Sequence, residues 1–404
     1  MVAGVVIVGG GIAGVSTAAA LRGGGFAGDL TLVDAGEFPY DRPPLSKDFL
    51  LDGKDLAGIA LQQPQWYDDN KVRLVNRTTV TALRPGSGGV ELSDGTTISA
   101  DRVVLATGGR AARPPIPGGD SARVHVLRTA EDAGRLRGAL SPGARVLVVG
   151  AGLIGAEVAS TAIDLGCEVV LVDPVRTPLA AAVGADVAAW LHDRHEQRGI
   201  TTVCAGVEFL RDTTSGIEAV LTGGAEPREF DAVVLGVGMV PDTALAAAAG
   251  LRVDGGTVVD PQHRTSNPAV LAVGDSARIW RDGLPPARSE HWDAAQRGGQ
   301  RAAATILGAP APAQTAPWFW TDRHGLHVEV IGEMAAAEQT VVRGTFGTSP
   351  FSVFGVRDGY VVAAVGVGDS NAVRAARRMI DRTLAVDVAK LADVAVDLRR
   401  LLRG

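Results

Sequence analysis

Gly150-Ala151-Gly152-Leu153-Ile154-Gly155 follows the apolar run Val146-Leu147-Val148-Val149 and leads into an Ala-rich stretch opening at Ala156-Glu157. A strand-to-helix turn of this G-x-G-x-x-G form cradles the pyrophosphate of a dinucleotide. The first glycine permits the tight turn, the second lets phosphate approach the backbone, and the third lets helix pack closely on strand. One such match is weak, because glycine-rich turns also occur without a ligand. A second stands near the N-terminus, where Val5-Val6-Ile7-Val8 runs into Gly9-Gly10-Gly11-Ile12-Ala13-Gly14. The pair is strong. Each motif is followed by a strand ending in aspartate, Leu30 to Asp34 in the first case and Val169 to Asp173 in the second. An acidic residue at that distance is placed to accept hydrogen bonds from a ribose hydroxyl. The alternative at each site is an Asp that caps a turn.

Several other residues stand where chemistry is feasible. Ala106-Thr107-Gly108-Gly109 ends a strand with bare backbone and one hydroxyl, and Gly274-Asp275 ends another with a carboxylate. Lysine is scarce, with Lys47, Lys54, Lys71 and Lys390 only, so Lys47 beside Pro43-Pro44-Leu45-Ser46 draws notice. Ser46 is expected to cap a short helix beginning near Lys47. Glu157 lies one turn into the second motif's helix, where a surface glutamate is the competing account. Cys167 and Cys204 are the only cysteines, and no C-x-x-C is present; both read as buried free thiols. His192 and His195 share a helix face but form no H-x-x-x-H pair, so no metal site is assigned.

The elements that must position these groups repeat. Strand 5–8, a helix to about Arg22 and strand 30–33 make one βαβ unit, trailed by alternating strands at 79–83 and 89–98 and by the strand 103–109. The opening motif, its helix to about Leu165 and strand 169–172 make a second. It is trailed by a helix at 185–198, a hairpin at 203–212 and 217–222, and the strand 231–238. Such duplication reads as α/β, with two Rossmann-like dinucleotide-binding domains. The expected boundaries are 1–109 with 239–313 for the first domain and 110–238 for the second. After an Ala/Pro-rich linker at 309–316, residues 314–404 make a small α+β C-terminal domain containing Trp318-Phe319-Trp320. Ser289 is expected to cap a long helix from Glu290 to Leu307.

A net charge of −6 gives no support to nucleic-acid binding. The start runs directly into a strand, and no apolar run approaches the ~20 residues of a membrane span. No membrane association is expected, and a cytoplasmic location is.

Spaced points along nearly the whole chain resemble one family. They are the two glycine motifs, Pro43-Pro44-Leu45-Ser46-Lys47, Ala106 to Arg110, Leu127-Arg128-Thr129, Gly274-Asp275, Glu290-His291-Trp292 and Pro317 to Asp322. Together they are similar to the NADH-dependent, FAD-containing ferredoxin reductases of bacterial oxygenase systems, two-dinucleotide-binding-domain flavoproteins of the glutathione-reductase-like fold. The resemblance implies FAD on the first motif, at Gly9, Gly11, Ala13 and Gly14, with Asp34 and Ala35 at the adenosine ribose. It further implies Arg42 and Lys47 along the flavin, Val80 near the adenine, and Ala106, Thr107, Gly108 and Arg128 on the FAD. Asp275 would meet the ribityl chain, Glu290, His291 and Trp292 the pyrimidine end, and Trp320 the flavin side. NAD is implied on Gly150, Gly152, Leu153, Ile154 and Gly155, with Asp173 on the ribose. Glu157, paired with Lys47, would reach the nicotinamide carboxamide, and these two are the catalytic candidates.

A carboxylate at Asp173 would oppose a 2′-phosphate, so NADH is expected over NADPH, with Arg176 nearby as a softening charge. The implied partner is a small iron-sulfur ferredoxin of two-iron type that feeds an oxygenase. Arg297, Arg301 and Arg323 are candidates for docking it. The segment 43–48 holds no cysteine, which argues against a disulfide or peroxide reductase. Rubredoxin, monodehydroascorbate or quinone reduction stays open, as does a redox-dependent binding role resembling apoptosis-inducing factor.

Overall fold

The structure is a computed structural model that describes residues 2–53, 55–84, 88–224, 226–280 and 290–403. The chain divides into two compact units. One comprises Met1–Pro44, Lys54–Arg110 and Met239–Ala313, and the other Leu45–Gly53, Ala111–Gly238 and Gln314–Gly404.

The first unit is built on a five-stranded parallel sheet in the order Val270–Ala272, Arg102–Leu105, Gly4–Val8, Asp29–Val33, Arg73–Val75. Val and Leu dominate these strands because both faces are covered. Ile7, Leu32, Val104 and Leu271 point into one core and Val6, Val33, Leu105 and Val270 into the other. Helix Ile12–Gly23 crosses one face, and helix Trp292–Leu307 packs along it. Two glycines set that approach. A Cβ on Gly299 would lie 2.5 Å from the Ala13 carbonyl oxygen, and one on Gly274 would lie 2.9 Å from the Ala13 Cβ. A small antiparallel sheet, Val80–Leu83, Val90–Leu92 and Thr97–Ile98, covers the other side.

The second unit contains a sheet of the same order, Thr201–Val203, Glu168–Val172, Arg145–Val149, Ala232–Leu235, Val124–Val126, again all parallel. Its small antiparallel sheet is Val207–Asp212, Ile217–Leu221 and Arg228–Phe230. Duplication therefore extends to strand order, with one difference. The fifth strand comes from the returning chain in the first sheet and from before the glycine motif in the second. The hairpin expected to start at Val203 starts at Val207, because Thr201–Val203 pairs with the parallel sheet.

Residues 318–367 form a five-stranded antiparallel sheet, ordered Trp318–Arg323, Leu326–Gly332, Tyr360–Val367, Phe351–Arg357, Gln339–Arg343. One face packs on helix Ser370–Asp381, whose N-cap Asp369 accepts from the Ala372 N–H. The other face shares a core with Val183, Val187 and Leu191 of the helical segment 180–197. Among the described residues no helix is long and apolar enough to cross a membrane.

Three expectations are corrected. Ser46 does not cap a helix; the cap position of Asp48–Asp52 is Lys47, and the Ser46 hydroxyl is engaged by a carboxylate instead. Cys167 is buried but Cys204 is exposed, because it follows the last residue of an edge strand where the chain turns off the sheet. The long helix begins at Trp292 with His291 as its cap residue, while Ser289 lies outside the described residues.

Candidate functional site

In the first unit the turn after Gly4–Val8 has the backbone that its glycines predict. Gly9 has φ +112°, and a Cβ there would lie 2.3 Å from the Ala106 carbonyl oxygen. A Cβ on Gly14 would lie 2.0 Å from the Gly9 carbonyl oxygen, so helix and strand are as close as glycine allows. The helix N-terminus at Gly11 carries no side-chain cap, leaving its first N–H groups to a ligand. Above the turn lies a cation: a Cβ on Gly11 would sit 2.6 Å from Arg42 Nη1. An uncapped helix N-terminus beneath a guanidinium is the environment a pyrophosphate requires, so the residues fit FAD.

Asp34, at the end of the neighbouring strand, accepts the Gly10 N–H at 3.1 Å. Ala35 beside it is exposed. Val80 is buried in the core that includes Val33. At the end of strand Arg102–Leu105, Ala106 is buried, Thr107 Oγ1 donates to the Asp242 carbonyl at 2.7 Å and Gly108 has φ +64°. The Gly274–Ser276 turn, which contains Asp275, brings Gly274 against Ala13. Trp292 Nε1 donates to Asp41 Oδ1 at 2.8 Å, fixing the indole at the start of the long helix. In the sequence nothing but adjacency to Arg42 marks Asp41. Glu290 is exposed, and burial holds His291 below the usual imidazole range.

The second unit repeats the cradle. Gly150 has φ +95°, and a Cβ on Gly155 would lie 1.8 Å from the Gly150 carbonyl oxygen. A Cβ on Gly152 would meet nothing within 4 Å, so the helix N-terminus opens onto free space. Asp173 Oδ2 accepts the Ala151 N–H at 2.8 Å, as Asp34 does for Gly10, and Oδ1 accepts the Val175 N–H at 2.7 Å. Leu153 is half-buried, whereas Ile154 at the start of the helix and Val175 and Val237 on the turns after their strands are exposed apolar groups. These residues fit a second dinucleotide.

The same unit contains the Lys47–Glu157 pair, with Nζ and Oε2 2.8 Å apart. Glu157 is 5% exposed, and a buried carboxylate is costly unless hydrogen-bonded. It is well supplied. Ser46 Oγ donates to Oε2 at 2.5 Å, Thr321 Oγ1 to Oε1 at 2.7 Å, and the Asp322 N–H to Oε1 at 3.2 Å. Lys47 Nζ is also 4.0 Å from Asp322 Oδ2. One turn on, Thr161 Oγ1 donates to the Ser46 carbonyl and Ser160 Oγ accepts the His324 N–H, each at 2.7 Å. One helix face thus ties segment 46–47 to segment 321–324. Trp320 precedes Thr321 and stacks on Trp318 with ring centroids 5.0 Å apart. Ser46 and Thr321 were missed because a serine after Pro-Pro-Leu and a threonine in a strand carry no local mark of a distant carboxylate.

Arg128 stands before the capping box of helix Ala130–Ala139, where Asp132 accepts its backbone N–H at 3.1 Å. The docking role expected for Arg323 does not hold. That side chain is 5% exposed, and burial lowers its guanidinium to about 10 while Glu157 pulls the other way. Arg297 is tied to Asp293 on its own helix at 2.8 Å, and Arg301 donates to the Pro312 carbonyl at 3.1 Å. Beside Arg323, His195 and His324 share a 2.8 Å hydrogen bond; burial and the Arg323 charge drive them to about 2 and about 4.

Comparison with known proteins bears on the whole chain. Residues 3–299 match the sequence model of the pyridine nucleotide-disulphide oxidoreductase family, and residues 318–402 that of the reductase C-terminal family. The chain is 38% identical over 402 residues to the ferredoxin--NAD(+) reductase component of the anthranilate 1,2-dioxygenase system of Burkholderia cepacia, covering 98% of each. It is 34% identical to putidaredoxin reductase of Pseudomonas putida, covering 98% of this chain and 96% of that one. The crystal structure of a covalent putidaredoxin reductase–putidaredoxin complex matches with a TM-score of 0.91 at 32% identity, over 99% of this chain and 98% of that one.

Proposed function

The chain belongs to the pyridine nucleotide-disulphide oxidoreductase family, in the branch that carries a reductase C-terminal domain, and from that premise we propose how it works. It is an NADH-dependent ferredoxin reductase, a flavoprotein that delivers electrons through FAD to a small iron-sulfur ferredoxin serving a bacterial oxygenase. One observation carries the reading. Two dinucleotide cradles of the same construction stand in a chain whose two cysteines are separated by 37 positions, with none in segment 43–48. Electrons taken from a nicotinamide therefore have no dithiol to pass through and must leave to an external carrier.

Bound FAD supplies the conversion of a hydride into single electrons. Gly9, Gly11, Ala13 and Gly14 at the start of helix Ile12–Gly23 hold its pyrophosphate, Arg42 and Lys47 lie along the flavin, Asp34 and Ala35 meet its adenosine ribose, and Asp275 its ribityl chain. Ala106, Thr107, Gly108, Val80 and Arg128 line the cofactor, with Glu290, His291, Trp292 and Trp320 toward the flavin ring. Gly150, Gly152, Leu153, Ile154 and Gly155 hold NADH, and Asp173 takes its ribose hydroxyl while rejecting a 2′-phosphate by like charge. Glu157 orients the nicotinamide by its carboxamide, and Lys47 keeps the Glu157 carboxylate in place. The three domains of this reading are 1–109 with 239–313 for FAD, 110–238 for NAD, and 314–404. Its place of work is the cytoplasm.

The test is NADH-driven reduction of cytochrome c with and without added two-iron ferredoxins. Fast transfer that requires a ferredoxin is expected, with NADPH at least about tenfold poorer in kcat/KM, one repelled charge being worth about 1.4 kcal/mol or more. Rapid turnover with rubredoxin or a quinone alone would reassign the acceptor. Slow reduction followed by NADH-dependent dimerisation would favour a binding role.

A further inference from the structure

Both oxygens of the Glu157 carboxylate are engaged, and their donors are not equivalent. Lys47 and Ser46 donate to Oε2, and Thr321 and the Asp322 N–H donate to Oε1. On Oε2, loss of the Ser46 hydroxyl would still leave the ammonium of Lys47 at 2.8 Å. On Oε1, Thr321 is the one side-chain donor among the described residues, and the backbone N–H beside it makes a longer bond, 3.2 Å against 2.7 Å. Thr321 therefore makes the shorter of the two bonds that set the direction of Oε1, and the only one from a side chain among the described residues.

That hydroxyl is itself well held. Thr321 is 1% exposed and lies inside strand Trp318–Arg323, in register with Val328 of the next strand. Its branched Cβ restricts it to few rotamers. We propose that Thr321 is a positioning residue for nicotinamide recognition, aiming Glu157 from the C-terminal domain. This rests on the reading that Glu157 meets the nicotinamide carboxamide. Thr321 acts through Glu157 and needs no contact with the dinucleotide. The C-terminal domain then contributes to nicotinamide recognition through one hydroxyl.

The experiment titrates the oxidised holoenzyme with NAD⁺ and separately with ADP-ribose, which has the same pyrophosphate and adenosine but no nicotinamide. Thr321→Val is expected to weaken NAD⁺ about tenfold, the size of one hydrogen bond to a charged group, and to leave ADP-ribose within about twofold. Thr321→Ser, which keeps the donor, is expected to bind both as the parent does. Glu157→Gln is expected to weaken NAD⁺ selectively. If Glu157→Gln binds both ligands normally, the reading of Glu157 fails and the proposal falls with it. If Glu157→Gln is selective but Thr321→Val is normal, or loses both ligands alike, the proposal alone is overturned. Impairment of Thr321→Ser equal to that of Thr321→Val overturns it too.

Discussion

Thr321, Arg323 and His324 of one short segment meet Glu157 and His195 from distant parts of the second unit. The histidines carry a pH prediction. In the native chain burial depresses His195 and His324 below the ordinary 6.5, so both stay neutral where the unfolded chain would bind protons. Their contribution is fully present above about pH 6.5 and is lost as pH falls toward the depressed values. Stability should therefore drop on acidification by on the order of 1 kcal/mol per pH unit for each ring. Urea midpoints at pH 7.5 and 5.0 would show it, and equal midpoints would mean the rings protonate without cost. None of this was legible in the sequence. His195 showed only a spacing to His192, and its hydrogen-bond partner lies 129 residues away. Arg323, which looked like one more surface arginine, is buried by a strand that local composition marked but could not orient.

At the scale of elements the sequence was more informative, because the backbone of a glycine cradle leaves little choice of residue. Gly9 and Gly150 take positive φ, and Gly14 and Gly155 face carbonyl oxygens that any side chain would strike. Gly152 differs, and the contrast is testable. A methyl on Gly155 would collide with the Gly150 carbonyl at 1.8 Å, so Gly155→Ala should lose several kcal/mol of stability. A methyl on Gly152 meets no protein atom within 4 Å but enters the space given to the pyrophosphate. Gly152→Ala should keep the parental melting temperature and weaken NAD⁺ at least about tenfold. Parental NAD⁺ affinity in Gly152→Ala would place the phosphates elsewhere. Less legible were strands without a glycine stop. Thr201–Val203 read as part of a hairpin because alternation alone does not tell an edge strand of a parallel sheet from a meander. The general tendency of cysteine to be buried also fails at Cys204, whose exposure follows from where that strand ends.

At the scale of the whole molecule, the domain after the Ala/Pro linker is part of the second unit's core. Val183, Val187 and Leu191 are buried together with Val328, Val330, Phe351 and Val365. Ending the chain at residue 313 would leave that apolar face bare and remove two donors of Glu157. Such a fragment should aggregate or bind a hydrophobic dye, and a monodisperse fragment that ignores the dye would show the domain to be a separable appendage. The two parallel sheets also differ in where they are completed. The second closes with Ala232–Leu235, its fifth strand Val124–Val126 having been made earlier. The first has four of its strands by Leu105 but waits for Val270–Ala272. On a ribosome, where chains emerge at roughly 5–20 residues per second, the second sheet can be finished while the first still lacks an edge. The parallel sheet that starts first is the one that finishes last, and its open Arg102–Leu105 edge is the stretch of nascent chain most in need of protection.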